Sequence, residues 1–309
     1  MSTDSSSTQI ASRDLRDGIV AGLFAYFAWG VLPAYFKFMG HVPAAEMVAH
    51  RIIWSVPFGA LIILLRRQWG EVLGAFFTPR TIGLLFATSL LISINWVIYV
   101  WAVQNNQVFQ GSLGYYITPL FYVLVGVVFF GDPFRRFQKL AIASATLAVL
   151  SLIFLGGQFP AIALALAFSF TLYGLIRKTV EIGGMPGLFI ETVILLLPAF
   201  AYLWWLNQNG SLVFRFDHPR AGVDFMLSGP FTVLPLLMFA LAARRLTLST
   251  IGFMQFIAPT MQFLMGVYFG EPLTPAVWGC FTLIWLAAGL YGYDAWRHAR
   301  QQRPNVKSS

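Results

Sequence analysis

Ten stretches of this 309-residue chain are each apolar over about twenty residues, the length a helix needs to cross a hydrocarbon core of roughly 30 Å. They run over about 17–38, 44–65, 81–103, 110–130 and 137–155 in the first half. In the second half they run over about 160–176, 186–206, 223–243, 247–269 and 275–296. The runs are apolar on nearly every face and far longer than buried strands, whereas the strands of a barrel alternate. An all-α integral membrane protein of ten transmembrane helices follows. Composition agrees: 58% of residues are hydrophobic and 10% are charged, against roughly 25% charged in a soluble domain.

The basic residues sit between these runs. If the N-terminus is cytoplasmic, sixteen of the twenty lysines and arginines fall on the same side, among them Arg66, Arg67, Arg80, Arg135, Arg136, Lys139, Arg177, Lys178, Arg244, Arg245 and Arg297. Such a bias marks the cytoplasmic face and expects both termini there. The net charge of +8 is therefore topological; no basic stripe or arm offers itself to nucleic acid. The polar N-terminal segment lacks the apolar core of a signal peptide, so the first run is expected to direct insertion.

A second pattern divides the chain. The segment Pro119 to Pro133, ending in Gly131-Asp132-Pro133, matches Pro259 to Pro272, ending in Gly270-Glu271-Pro272, but only the first is followed at once by arginines. Trp29-Gly30 pairs with Tyr173-Gly174 and Pro57 with Pro198, in the same order and at a shift of about 140 residues. Five spans per unit place the two copies upside down relative to each other, the sequence signature of an inverted-repeat transporter. The expected organisation is a polar tail over 1–16, a first five-helix repeat over 17–156, a second, inverted repeat over 157–296 and a basic tail over 297–309. Pro57, Pro119, Pro198 and Pro259 each remove a backbone hydrogen bond, so helix kinks are expected there.

Charges within the runs point to function, because an arginine or aspartate at a helix centre costs about 2.5–3.5 kcal/mol to insert. Arg51 lies about seven residues into the second run beside His50, and Glu191 lies about five residues into the seventh. The inverted halves put these groups toward opposite faces, as two gates of one cavity would require. The amides Asn95, Gln255 and Gln262 need partners inside apolar spans. With Trp29, Trp96, Tyr115, Tyr116 and Tyr173 they form the expected cavity lining, suited to a planar or amphipathic solute. Glu191 is the first candidate to carry a coupling proton and His50 the second, since an unperturbed imidazole titrates near 6.5.

Enzymatic readings find no foothold. No phosphate-binding Gly-rich loop, no nucleophile elbow and no His-Glu-x-x-His spacing occurs, and a single Cys280 makes neither a disulfide framework nor a zinc site. No cofactor or metal is expected. A secondary carrier, a non-transporting receptor or scaffold, and a channel remain. The duplicated halves favour the carrier, and rings of like charge expected of a channel are lacking.

The stretches His50-Arg51-Ile52-Ile53-Trp54-Ser55, Asn95-Trp96, Ser112-Leu113-Gly114-Tyr115-Tyr116-Ile117-Thr118-Pro119 and Ala167-Phe168-Ser169-Phe170-Thr171-Leu172-Tyr173-Gly174-Leu175-Ile176-Arg177-Lys178 resemble the RarD-type branch of the EamA family, within the drug/metabolite transporter superfamily. The resemblance extends over about 17–296. It implies ten helices in two inverted five-helix repeats around a central cavity, in a bacterial cytoplasmic membrane. It further implies export or uptake of small metabolites or drugs, chloramphenicol sensitivity being attached to the branch name.

Overall fold

The computed structural model describes residues 3–131, 133–214 and 219–301. Thirteen helices form among them: α1 (Thr3–Phe38), α2 (Ala44–Leu65), α3 (Trp69–Phe76), α4 (Pro79–Gln104), α5 (Val108–Phe130), α6 (Arg136–Phe154), α7 (Ala161–Thr179), α8 (Gly184–Gln208), α9 (Pro219–Met226), α10 (Ser228–Arg245), α11 (Leu248–Met254), α12 (Ile257–Tyr268) and α13 (Pro275–Gln301). Ten spans are long and apolar enough to cross a membrane, the eighth covering Gly222–Arg245 and the ninth Thr250–Tyr268. Leu64, Leu65, Phe129, Phe154 and Trp204 stand exposed around the bundle, as lipid contact permits and water would not reward. An even number of spans leaves α1 and α13 starting and finishing at one end of the bundle, called here the terminal end.

Three details depart from a plain reading of ten rods. The loop between the second and third spans contains the short helix α3, whose Val72 and Ala75 are buried while Glu71 accepts the backbone N–H of Gly183 at the start of α8. Helix α1 begins at Thr3 and runs without interruption into the first span. The ninth span breaks at Gln255 and Phe256. Pro259 has no N–H for the Gln255 carbonyl, so the chain turns off its axis there. Pro57, Pro119 and Pro198 lie inside unbroken helices, as do Pro33 and Pro235.

Helix packing repeats in the two halves. Helix α1 packs on α10 and α12, and α7, its counterpart, packs on α4 and α5; α2 packs on α10, and α8 on α4. The remaining large interfaces, α2 with α8, α5 with α12 and α6 with α13, join each helix to its own counterpart. The first helix of each half therefore inserts into the other half, and the repeats interlock instead of sitting side by side. Side chains follow the same rule. A Cβ at Gly30 would lie 2.6 Å from Met261, and one at Gly174 would lie 1.8 Å from the Tyr122 hydroxyl, so both glycines admit a side chain from the fourth or ninth span.

Helices α2 and α10 lie so close that a Cβ at Gly229 would stand 2.2 Å from the Trp54 carbonyl oxygen. That carbonyl belongs to a helix and cannot swing aside. Gly229→Ala is expected to destabilise the protein by about 1–3 kcal/mol, the usual cost of overpacking. Gly279 on α13 has open space around it, so Gly279→Ala is expected to be neutral or stabilising by up to about 1 kcal/mol through helix propensity. Thermal unfolding of both variants in detergent checks the contrast.

Candidate functional site

Helices α2 and α8 enter the bundle from opposite ends and pack on each other, and each carries an ionic side chain at its eighth residue. A rise of 1.5 Å per residue puts Arg51 and Glu191 each about 10 Å inside its own end. Both are buried. They form two poles of one polar and aromatic assembly.

At the Glu191 pole three helices converge. Thr88 Oγ1 of α4 donates to Glu191 Oε1 at 2.6 Å, the Tyr173 hydroxyl of α7 donates to Oε2 at 3.2 Å, and Arg177 Nε of α7 lies 3.6 Å from Oε1. Arg177 also reaches the carbonyls of Gly183 and Gly184 at 3.4 and 3.5 Å. Its guanidinium rests against the backbone of α8 at Gly187, where a Cβ would lie 2.2 Å from Nη1. Arg177 thus closes the terminal end over Glu191 instead of standing free beyond its span.

The Arg51 pole is built differently. Arg51 Nε donates to Thr232 Oγ1 of α10 at 2.6 Å, and the guanidinium lies over the ring of Trp96 at 4.2 Å and that of Phe36 at 5.7 Å. Beside it Tyr35 donates to the Asp224 carbonyl at 2.8 Å and packs on Phe231. From here rings follow one another toward the other pole: Phe36 to Tyr99 at 6.2 Å, Tyr99 to Tyr115 at 5.4 Å, Tyr115 to Phe170 at 6.1 Å and Phe170 to Tyr173 at 5.8 Å. Tyr173 then donates to Glu191. A continuous aromatic path joins the poles.

Of the residues singled out in the sequence, Arg51, Trp96, Tyr115, Tyr173 and Glu191 come together on this path. His50 does not, because one residue along a helix is a 100° rotation. Its ring faces Phe214 at 4.7 Å and Phe225 at 4.3 Å, with Glu46 at 3.9 Å, under the segment after α8. Glu46 accepts the N–H groups of Val213 and Phe214 and pins that segment down. Tyr116 points away from Tyr115, toward Thr260 and Trp285. Asn95 ties α4 to α7 by donating to the Leu166 carbonyl and Ser169 Oγ at 3.1 and 2.9 Å. Gln262 donates at 3.3 Å to the Trp29 carbonyl, the group that Pro33 leaves without its helical donor, and the Trp29 ring packs on Tyr26 and Phe239. Gln255 lies at the break between α11 and α12.

Thr88, Tyr99, Phe36, Phe170, Arg177 and Thr232 complete the assembly and were not singled out beforehand. Arg177 alone carried a usable signal. It stands one turn after Tyr173 on a span that turns back within a few residues, so it can face the start of α8. At the end away from the termini, Glu271 accepts the N–H groups of Val108 and Phe109 at the start of α5. Burial pushes its carboxyl above the ordinary value, against the pull of those two amides.

Breaking the Glu191 pole has a defined cost. Arg177→Gln leaves the carboxylate buried and uncompensated, which is expected to cost about 3–5 kcal/mol. The double change Arg177→Gln with Glu191→Gln removes the orphaned charge and is expected to recover most of that loss. A double-mutant cycle on thermal stability in detergent checks it.

The EamA-like transporter family model matches residues 16–154. The chain is 38% identical over 300 residues to Protein RarD of Streptomyces exfoliatus, covering 97% of this chain and 95% of that protein. It is 40% identical over 283 residues to an uncharacterized transporter of Vibrio cholerae, covering 91% and 94% respectively. A solved crystal structure at 17% identity superposes with a TM-score of 0.53 over 91% of this chain and 98% of its own, a likeness of fold.

Proposed function

The chain belongs to the EamA-like transporter family, a membrane transporter of the RarD type, and from that premise we propose that it is a secondary carrier moving a small metabolite or drug by alternating access between its two repeats. The observation that carries this reading is the pair of ionic poles, set at equal depth from opposite ends on α2 and α8 and joined by one aromatic path. Helices α2 and α8 are counterparts in the repeat, so rocking one half against the other loosens one pole as it tightens the other. The family match over residues 16–154 agrees with a first repeat ending near 156.

The basic loops at 66–67, 135–136, 177–178 and 244–245 lie at the terminal end, which supports a cytoplasmic assignment for that end in a bacterial inner membrane. On this topology Arg177 over Glu191 is the inner gate, and Arg51 with the segment pinned by Glu46 is the outer gate. Ser211→Cys is expected to react with an impermeant maleimide in whole cells, and Gln68→Cys only after the membrane is opened. The reverse pattern would invert the topology.

Glu191 is the proposed coupling group. A proton on its carboxylate removes the charge that holds Arg177 and loosens the terminal end; its loss restores the pair. In proteoliposomes, Glu191→Gln is expected to abolish accumulation driven by a proton gradient while solute exchange stays measurable. Wild-type accumulation with unchanged pH dependence would make Glu191 structural. Specific binding with no flux by the wild-type protein would favour a receptor over a carrier.

A further inference from the structure

We propose that the Arg51 pole binds the carboxylate of a monoanionic organic solute and that the aromatic path receives its apolar body. The inference rests on the carrier reading and supplies its substrate class.

Among the described residues Arg51 is the one arginine or lysine that is buried, with 7% of its surface exposed. A guanidinium in that position ordinarily has an acidic partner. No carboxylate lies within 4 Å of it among the described residues, and every buried acid there is engaged elsewhere. Glu46 holds the amides of Val213 and Phe214, Glu191 faces Arg177, Glu271 holds the amides of Val108 and Phe109, and Asp294 pairs with Arg135 at 2.7 Å. Among the described residues no acid balances the positive charge of Arg51.

The geometry of the guanidinium says which side is available. Thr232 occupies Nε and Trp96 lies beneath the plane, which leaves the edge formed by Nη1 and Nη2. That edge presents two parallel N–H donors, the fork that takes a carboxylate with both oxygens. A second observation points to the same ligand. The Tyr99 hydroxyl is buried and has no hydrogen-bond partner, although a buried hydroxyl normally finds one. Tyr99 packs on Phe36 at 6.2 Å, and Phe36 in turn lies 5.7 Å from the Arg51 guanidinium. The Tyr99 hydroxyl is therefore left to an acceptor that the solute would bring.

One unbalanced positive charge with neutral phenols around it matches a single negative charge. A carboxylate fits this count, and a phosphate dianion leaves one charge over in a region of low dielectric. The body of the solute would meet Phe36, Trp96, Tyr115 and Phe170, which favour flat or apolar groups.

The test uses full-length protein in nanodiscs and three matched pairs: acetate with acetamide, benzoate with benzamide, and indole-3-acetate with indole-3-acetamide. At least one carboxylate is expected to protect against thermal unfolding at a tenfold or greater lower concentration than its amide. That preference is expected to vanish in Arg51→Gln, to fall most of the way in Arg51→Lys, where the planar fork is lost, and to weaken several-fold in Tyr99→Phe. No carboxylate preference in any pair would overturn the proposal, as would a preference that survives in Arg51→Gln or tighter binding of phenyl phosphate than of benzoate. If Arg51→Gln fails to fold, Tyr99→Phe decides: unchanged preference counts against the site. Counterflow of the protecting carboxylate in proteoliposomes separates the two readings. Protection without flux contradicts the carrier and leaves the site standing; flux of a neutral solute that Arg51→Gln leaves unchanged contradicts the site and leaves the carrier standing.

Discussion

A charge carried into lipid has to be answered by a group already inside the bundle, because the surroundings offer neither water nor counterion. Glu191 meets this demand with Thr88 from α4 and with Tyr173 and Arg177 from α7. Three helices are thereby held together at one depth. Arg51 draws in Phe36 from α1, Trp96 from α4 and Thr232 from α10. The two poles therefore bind together helices that are distant in sequence, and each pole includes members of both repeats.

Interlocking of the repeats follows from the same economy. With α1 lodged against α10 and α12, and α7 against α4 and α5, neither half has a complete core of its own. Separating the halves would expose the faces on which these first helices pack. Motion is then expected along α2 and α8, the counterpart pair that carries the poles, while α6 and α13 clasp each other through contacts such as Ser144 to the Leu283 carbonyl. Backbone polarity is handled in matching fashion at the two ends. Glu46 holds amides of the segment after α8, and Glu71 on α3 holds the amide of Gly183, the residue just before α8. One fixes the end away from the termini and the other the terminal end.

Much of this was legible in the sequence. Run length and apolar composition determine the ten spans, since in lipid only a helix satisfies its own backbone. The shift of about 140 residues and the loop charges together expose the inverted duplication. Arg51 and Glu191 stood out because charge is rare inside such runs. What stayed hidden depends on rotation and partner choice. Tyr115 and Tyr116 are neighbours in sequence but face different helices, and His50 turns away from Arg51 for the same reason. Asn95 and Gln262 answer backbone carbonyls, and the carbonyl that Gln262 meets is released by Pro33, a proline the repeat comparison passed over. Arg177 read as a loop charge because its position at the span end concealed how far a guanidinium reaches back. The exchange of first helices leaves no mark in a linear pattern.

A carrier working by alternating access requires reciprocal closure, with the proposed gates at the Glu191 and Arg51 poles not opening together. Two distances test this most directly. Spin labels at Arg80→Cys and Arg244→Cys report on the terminal end, and labels at Asn105→Cys and Asn209→Cys on the other, in a Cys280→Ala background. Comparing Glu191→Gln with the parent by pulsed electron resonance, the account predicts that the first distance lengthens while the second shortens. Two unchanged distances, or two that lengthen together, would contradict it.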